Sequence, residues 1–232
     1  MDRFAHVAID GPAGSGKTTV ARALARRLDV LFLDTGAMYR AAALVTLRAG
    51  ANASDEASVL AIVAEHPVRA TLDAASTDGF RIWAGDELLG DELYRNEVSR
   101  IVSVVASHPA IRAAMVERQR AIAAEAPVIM AGRDIGTVVL PEAPLKIYLT
   151  ASLDERVTRR RAELAQRGIS IDRLELRREL EERDRLDATR AVAPLRPAAG
   201  AVEIDSTGRT IEAVVERIAT LAARAVGGPK GT

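Results

Sequence analysis

Residues 11–18 read Gly-Pro-Ala-Gly-Ser-Gly-Lys-Thr and fit the phosphate-binding pattern G-x-x-x-x-G-K-[ST]. Residues 4–10, before it, form a short apolar run typical of a strand, and Thr18 to Leu28, after it, repeat apolar residues at helical spacing. A strand, a glycine-rich loop and a helix are the context that this motif requires. The stretch therefore predicts a nucleoside triphosphate site, and its alternative is an ordinary glycine-rich turn that carries a surface lysine.

The residue types of this loop match the chemistry of a bound triphosphate. Its glycines let successive backbone N–H groups turn toward a phosphate, and the positive end of the following helix lies on the same anion. Lys17 then reaches the β and γ phosphates, and the Thr18 hydroxyl ligates Mg²⁺, the expected cofactor. A dinucleotide fingerprint is excluded because Thr19 stands where a third glycine is required. The predicted ATP-binding residues are Gly11, Pro12, Ala13, Gly14, Ser15, Gly16, Lys17, Thr18 and Thr19.

Composition narrows the class of protein. The 232 residues are 48% hydrophobic, which predicts one globular domain with a small insert. Basic and acidic residues both total 32, so no net positive field favours nucleic acid or a membrane as a partner. The chain has no cysteine, no apolar run of 18 residues and no signal peptide. We expect a cytoplasmic protein, and a monomer because no heptad pattern suggests assembly.

Apolar, strand-like runs alternate with amphipathic segments along most of the chain. This order predicts a three-layer α/β fold, with a mostly parallel sheet flanked by helices. The expected strands are 4–10, 30–33, 128–131, 145–149 and 201–204. The expected helices are 18–28, 37–49, 94–106, 110–124, 153–167, 172–189 and one after Gly208, with a disordered tail at 227–232.

Residues 63–96 differ from this pattern. Val68–Leu72 and Phe80–Trp83 alternate like half-buried strands, with a turn at 76–79, and a third short strand follows Asp86. We predict a small antiparallel β insert over these residues. The predicted core is then 1–62 together with 97–232, and it includes a helical lid at about 153–190.

Ligands of open α/β sheets gather at the carboxyl ends of the strands. The polar residues that follow the apolar runs are therefore candidates: Asp10, Asp34, Thr35, Arg133, Asp134 and Asp205. Asp34 is a second candidate for the Mg²⁺ site. A GTPase is excluded because no N-K-x-D follows the loop. A small-molecule kinase instead needs converging arginines, and eleven arginines lie between 156 and 190, most of which we expect to pair with glutamates on solvated helix faces.

Four sequence blocks together resemble the bacterial cytidylate kinases. The glycine-rich loop is the first, and Leu33–Arg40 (LDTGAMYR) is the second. The third is Gly132–Val139 (GRDIGTVV), and the fourth is Glu182–Asp187 (ERDRLD) with 189–195 (TRAVAPL). The blocks stand in the family's order, and the resemblance runs to about residue 225. It implies a P-loop phosphotransferase that moves the γ-phosphoryl group of ATP to CMP or dCMP.

The resemblance also implies roles for single residues. Arg40, Arg133 and Arg183 match the positions that hold the 5′-phosphate of the acceptor. Ser103, Arg112 and Asp134 match the residues that read the cytosine edge, and Thr35 stands where some relatives have an acceptor-site serine. Asp187 and Arg190 match the ribose-binding positions, and Arg159 and Arg160 match lid arginines near the ATP phosphates. The implied catalytic residues are Lys17, Arg133, Arg183, Arg159 and Arg160.

An ionised Asp134 can only accept hydrogen bonds, so it suits the exocyclic amine of cytosine and not the carbonyl of uracil. Its alternative role is that of a carboxylate near Mg²⁺, and for Ser103 and Asp187 the alternative is a helix-surface residue paired with an arginine. Two other functions stay open from the sequence. One is a different P-loop kinase, of the UMP or shikimate type, and the other is a non-catalytic, ATP-switched binding protein.

Overall fold

The computed structural model describes residues 6–73, 75–76, 78–166 and 168–227. The strands are β1 (Val7–Asp10), β2 (Leu31–Asp34), β3 (Val68–Leu72), β4 (Phe80–Ala84), β5 (Glu87–Leu89), β6 (Val128–Gly132), β7 (Leu145–Thr150) and β8 (Val202–Asp205). The helices are α1 (Lys17–Leu28), α2 (Thr35–Arg48), α3 (Glu56–Glu65), α4 (Asn96–Val105), α5 (Pro109–Glu125), α6 (Leu153–Gln166), α7 (Arg173–Thr189) and α8 (Ile211–Gly227).

Five of these strands form a parallel sheet in the order β2-β6-β1-β7-β8. The central strands β1 and β6 are buried along their whole length, as expected where helices cover both faces of a parallel sheet. The order reverses at β1, from which the chain passes into the glycine-rich loop. Residues that follow β1, β2 and β6 therefore meet at one edge, and the predicted α/β fold is confirmed.

The remaining three strands form the predicted antiparallel insert, in the order β3-β4-β5. Phe80 of the insert packs edge-on against Phe32 of β2, with ring centroids 5.7 Å apart. Asp78 pairs with Arg22 of α1 at 2.6 Å. The insert is thus anchored to the phosphate-loop helix, while the domain bounds at 62/63 and 96/97 stay predictions.

The helical lid is a hairpin of α6 and α7 with its own small core. That cluster joins Val157, Leu164, Leu176 and Leu180 to Ala13 of the glycine-rich loop. Ala13 belongs to the glycine-rich loop, so the lid packs directly on that loop.

Several element bounds differ from the sequence-based expectations. Helix α3 was not predicted, because only Val59 and Val63 are fully buried on it and it is short; Asp55 begins it by accepting from two backbone N–H groups. Helix α2 begins at Thr35 and not at 37, since Asp34 caps it through Gly36 N at 3.0 Å. The expected helix at 94–106 begins at Asn96, after a 3₁₀ turn over Asp91–Tyr94.

A second irregular element, a π turn over Ile135–Val139, follows β6 and was not predicted. Residues 4–5 of the expected first strand and 228–232 of the expected tail lie outside the described residues. No helix in the described part of the chain is long and apolar enough to cross a membrane.

Candidate active site

A cavity of about 910 Å³ opens at the carboxyl edge of the parallel sheet, between the insert and the lid. Nineteen of the predicted site residues line it: Ala13, Gly14, Ser15, Gly16, Lys17, Thr18, Thr19, Asp34, Thr35, Arg40, Ser103, Arg112, Arg133, Asp134, Arg159, Arg160, Arg183, Asp187 and Arg190. The candidates Asp10, Gly11, Pro12 and Asp205 are not among the residues that line this cavity. The structure therefore brings together residues that are spread over 178 positions of sequence, from 13 to 190.

The glycine-rich loop needs glycine for two separate reasons. Gly14 and Gly16 have φ angles of 74° and 90°, a left-handed conformation that other residues rarely adopt. At Gly11, with φ 151°, a Cβ atom would lie 2.0 Å from the carbonyl oxygen of Leu149 in β7. The loop can thus lie flat against the end of the sheet and turn its N–H groups toward the cavity.

We predict that Gly11→Ala lowers the free energy of unfolding by about 3 kcal/mol, because β7 must shift to admit the methyl group. Gly50→Ala is the matched control: Gly50 also has a positive φ, 65°, yet nothing lies within 4 Å of its Cβ position. We expect that control to cost only about 1 kcal/mol. Urea unfolding of both variants measures this, and equal losses would contradict the steric argument.

Lys17 and Thr18, at the first turn of α1, line the cavity. The Nζ atom of Lys17 donates to the carbonyl oxygen of Pro12 at 2.6 Å. Burial lowers the pKa of Lys17 well below its usual value, and the positive charges of Arg133 and Arg183 lower it further. An anion at this position would relieve both effects.

The residues around Thr18 fit a Mg²⁺ ion that is held mainly by phosphates. Thr18 Oγ1 donates its proton to Asp34 Oδ2 at 2.8 Å, which leaves the lone pairs of the hydroxyl free to ligate. The described residues contain no group of three His, Asp or Glu side chains that could hold a metal alone. Mg²⁺ commonly takes only one or two protein ligands beside the substrate phosphates, so this donor set suits it.

Three arginines from α2, β6 and α7 bring positive charge to the centre of the cavity. Arg133, just after β6, donates from Nε to Asp187 Oδ2 at 2.7 Å. Arg40 donates to the carbonyl oxygen of Leu93 at 3.2 Å and lies over the ring of Tyr94, 5.3 Å from its centroid. Burial, followed by the charge of Arg160, lowers the pKa of Arg40 to about 10.

Arg183 is the least satisfied of these cations. It makes no ion pair with any described residue, and its Nε atom is buried without a hydrogen-bond partner. Burial lowers the pKa of Arg183 to about 9, and the charges of Arg133 and Arg40 contribute in the same direction. A buried guanidinium without a carboxylate partner marks a place for an anion that is supplied by a ligand.

A second cluster, farther from the glycine-rich loop, centres on Asp134. Arg112 Nη2 pairs with Asp134 Oδ2, and Arg190 Nη2 lies 3.6 Å from Asp134 Oδ1. All three side chains are 5% exposed or less. Ser103 of α4 lines the same part of the cavity, and its hydroxyl is buried without a partner. This cluster combines an acceptor, a donor and an unsatisfied hydroxyl, which are the groups needed to read the edge of a base.

The lid arginines do not share one role. Arg159 donates to the carbonyl oxygen of Ser15 at 3.3 Å and to that of Ser206 at 2.7 Å, so it ties the lid to the glycine-rich loop and to the end of β8. Arg160 pairs with Glu163 at 2.6 Å and faces the acceptor side of the cavity. Arg156 is buried against Ala13 and Asp184 and holds the hairpin itself.

Two of the candidates predicted at strand ends form hydrogen bonds with the backbone that stabilise the fold. Asp10 accepts from the backbone N–H groups of Ile135 and Gly136, both at 2.8 Å, and so holds the π turn after β6. Burial raises the pKa of Asp10 to about 6. Thr35 donates to the carbonyl oxygen of Ala131 at 2.9 Å, so its proton serves the packing of α2 on β6.

Sequence reasoning missed several lining residues. The missed residues that follow β8 line the cavity, and Ser206 bonds to the glycine-rich loop through the carbonyl oxygen of Ser15: Ser206, Arg209, Thr210 and Ile211. The polar residues after the last predicted strand indicated this edge of the sheet, but their types did not indicate which ligand they would bind. Tyr94 and Asp78 line the insert side, and only the fold brings them near.

Comparisons with known proteins agree with this geometry. A family model described as cytidylate kinase matches residues 7–224. The cytidylate kinase of Pelotomaculum thermopropionicum is 48% identical over 218 residues, which are 94% of this chain and 96% of that protein. The cytidylate kinase of Lactococcus lactis subsp. cremoris is 45% identical over 212 residues, or 91% and 94% of the two chains.

Among solved structures, an uncharacterised protein from Eubacterium ventriosum superposes with a TM-score of 0.51 at 11% identity. The match covers 94% of this chain and 98% of that one. At this identity the likeness shows the fold alone.

Proposed function

The chain belongs to the cytidylate kinase family and is a phosphotransferase, and we propose that its cavity transfers the γ-phosphoryl group of ATP to CMP or dCMP. The observation that supports this proposal most is the convergence of five cationic side chains on one cavity: Lys17, Arg40, Arg133, Arg160 and Arg183. Carboxylates that line the same cavity, among them Asp34, Asp187 and Glu163, offset part of this charge. Such a site favours ligands that carry several negative charges.

The donor nucleotide lies along the glycine-rich loop in this proposal. The backbone N–H groups of residues 13–18 and the N-terminus of α1 bind its phosphates, with Lys17 on the β and γ groups. Arg159, already held at the carbonyl oxygen of Ser15, adds charge from the lid side. The adenine base then lies against the wall formed by residues 206–211, whose Arg209 offers a face for stacking.

The acceptor phosphate lies opposite, among Arg40, Arg133 and Arg183. Three guanidinium groups offset the repulsion between two anionic substrates and hold the attacking oxygen in line with the γ-phosphorus. The acceptor oxygen is already ionised, so the step needs no general base. As the bond from the γ-phosphorus to its bridging oxygen breaks, Lys17 and the lid arginines stabilise the charge that develops on the transferring group.

Thr18, with Asp34 behind it, would hold Mg²⁺ against the donor phosphates. The ion would supply positive charge that neutralises part of the negative charge of the phosphates. Asp34 accepts the Thr18 proton and thereby orients a lone pair of the hydroxyl toward the phosphates.

The cytosine ring is proposed to lie between Ser103, Arg112 and Asp134. Both carboxylate oxygens of Asp134 pair with arginines, yet each oxygen has a further lone pair for the exocyclic amine. Ser103 supplies a hydroxyl that no described residue uses. Asp187 and Arg190, between this cluster and the phosphate site, suit the ribose hydroxyls.

An acceptor panel tests the function. We expect rapid ADP release from ATP and Mg²⁺ with CMP or dCMP, and a kcat/KM at least 100-fold lower with UMP, because uracil presents a carbonyl to Asp134. AMP, GMP and shikimate are the other acceptors, and a reaction without acceptor gives the background. Equal turnover of UMP and CMP would still support kinase activity, but it would contradict the proposed recognition of cytosine by Asp134. ATP binding without turnover of any acceptor would favour an ATP-switched binding protein.

The monomeric state, the cytoplasmic location and the absence of a nucleic-acid partner stay predictions from the sequence.

A further inference from the structure

Ser99 lies on α4 where the acceptor side of the cavity meets the lid, and two arginines share its hydroxyl. Arg40 of α2 donates to Ser99 Oγ from Nη1 at 2.9 Å, and Arg160 of α6 donates to the same oxygen from Nη2 at 3.4 Å. One arginine belongs to the proposed acceptor-phosphate site, and the other belongs to the lid. The Ser99 oxygen therefore links the proposed acceptor-phosphate site to the lid.

The hydrogen-bonding capacity of this hydroxyl is only partly used. A serine hydroxyl has two lone pairs and one proton. Arg40 and Arg160 take the lone pairs, and no acceptor among the described residues receives the proton. Two cations thus converge on a neutral oxygen, and no carboxylate in the described part of the chain forms an ion pair with Arg40.

Neighbouring contacts hold Ser99 in this position from both sides. Arg100, the next residue, pairs with Glu175 at 3.5 Å and with Glu179 at 3.3 Å, which joins α4 to α7 of the lid. These ion pairs are exposed and contribute little stability, but they orient α4 relative to the hairpin. Arg40 is held independently by the Leu93 carbonyl oxygen, so it would stay buried without Ser99.

We propose that Ser99 is a positioning residue that couples the acceptor-phosphate site to the lid: its oxygen fixes Arg40 and Arg160 in one arrangement. The proposal rests on the proposed function and deepens it. It predicts a defect in the use of CMP and not in the binding of ATP, because neither Arg40 nor Arg160 forms a hydrogen bond with a described residue of the glycine-rich loop.

The test compares Ser99→Ala with Ser99→Thr, which keeps the hydroxyl, and with Ser107→Ala as the matched control. Ser107 follows the same helix, and its hydroxyl donates only to the Val104 carbonyl oxygen, at 2.7 Å. We expect Ser99→Ala to raise the KM for CMP about ten-fold, the equivalent of one hydrogen bond to a charged group. Ser99→Thr should stay within about three-fold of the wild type, and the melting temperature and the KM for ATP should be unchanged in both.

A double-mutant cycle separates coupling from a merely structural effect. In an Arg160→Gln background, Ser99→Ala should raise the KM for CMP by less than about three-fold, because the shared partner is already lost. Equal factors in the two backgrounds would overturn the coupling, and so would a Ser99→Ala variant that matches the wild type. A wild-type protein that fails to phosphorylate CMP would instead overturn the proposed function and this inference together.

Discussion

Replacing Arg183 by glutamine is expected to lower kcat with CMP about 1000-fold while leaving the affinity for ATP within about two-fold. The side chain has no ion pair among the described residues, and its Nε atom is buried without a partner, so its charge is reserved for a ligand. An arginine that stabilises a transferring phosphoryl group contributes a factor of this order or more to kcat. Steady-state kinetics, with ATP affinity measured by calorimetry, tests the prediction.

Arg185→Gln is the matched control for this experiment. Arg185 is on the same helix two residues later, but it is exposed and pairs with Glu182 at 2.6 Å. We expect the control to keep the activity and the melting temperature of the wild type, since exposed pairs contribute little. If Arg183→Gln lost as much ATP affinity as kcat, Arg183 would be assigned to the binding of the donor nucleotide. An unchanged kcat would remove it from the reaction.

The sequence was sufficient for the fold class because its strongest signals are local. The glycine-rich loop is flanked by an apolar run and an amphipathic helix, and both form as expected, with β1 at Val7–Asp10 and α1 at Lys17–Leu28. The insert was also predictable, since its strands alternate and a turn separates them. Helix α3 was missed because its apolar spacing is short and weak, and the capping of α3 by Asp55 is easily taken for loop chemistry.

The sequence predicted which residues line the candidate site, but it did not predict the contacts between them. Residue types and the resemblance named the arginines, and the cavity brings them together. The sequence could not show that Arg156 is buried and stabilises the lid, because it is one of eleven arginines with similar neighbours. Nor could it show that Ser99 joins Arg40 to Arg160, since that contact depends on how three helices pack.

The structure also revises the expected cost of changing Asp134. From sequence alone, Asp134→Ala is expected to lose discrimination between CMP and UMP more than folding stability. Its partners Arg112 and Arg190 are as buried as Asp134 itself, so Asp134→Ala would leave two guanidinium groups unpaired in the interior. Removing one partner of a buried pair typically costs about 3–5 kcal/mol. The informative substitution is therefore Asp134→Asn, which keeps the shape and one acceptor oxygen.

We expect Asp134→Asn to reduce the ratio of kcat/KM for CMP to that for UMP about 100-fold. The amide can turn its NH₂ group toward the carbonyl of uracil, whereas an ionised carboxylate can only accept. The variant should gain activity with UMP as well as lose it with CMP, and that gain separates a change in recognition from general damage. Asp205→Asn is the control, because Asp205 also ends a strand of the sheet but is exposed and bonds to Thr207 N at 2.8 Å.

The competing role for Asp134, a carboxylate near Mg²⁺, predicts a different result from the same variant. Activity would then fall by one factor with both acceptors, and the Mg²⁺ concentration needed for half-maximal turnover would rise. The geometry favours recognition of the base, because Asp134 is engaged by Arg112 and Arg190, while Thr18 is bonded to Asp34. A selectivity ratio that equals that of the wild type, at any level of residual activity, would rule out Asp134 as the residue that distinguishes cytosine from uracil.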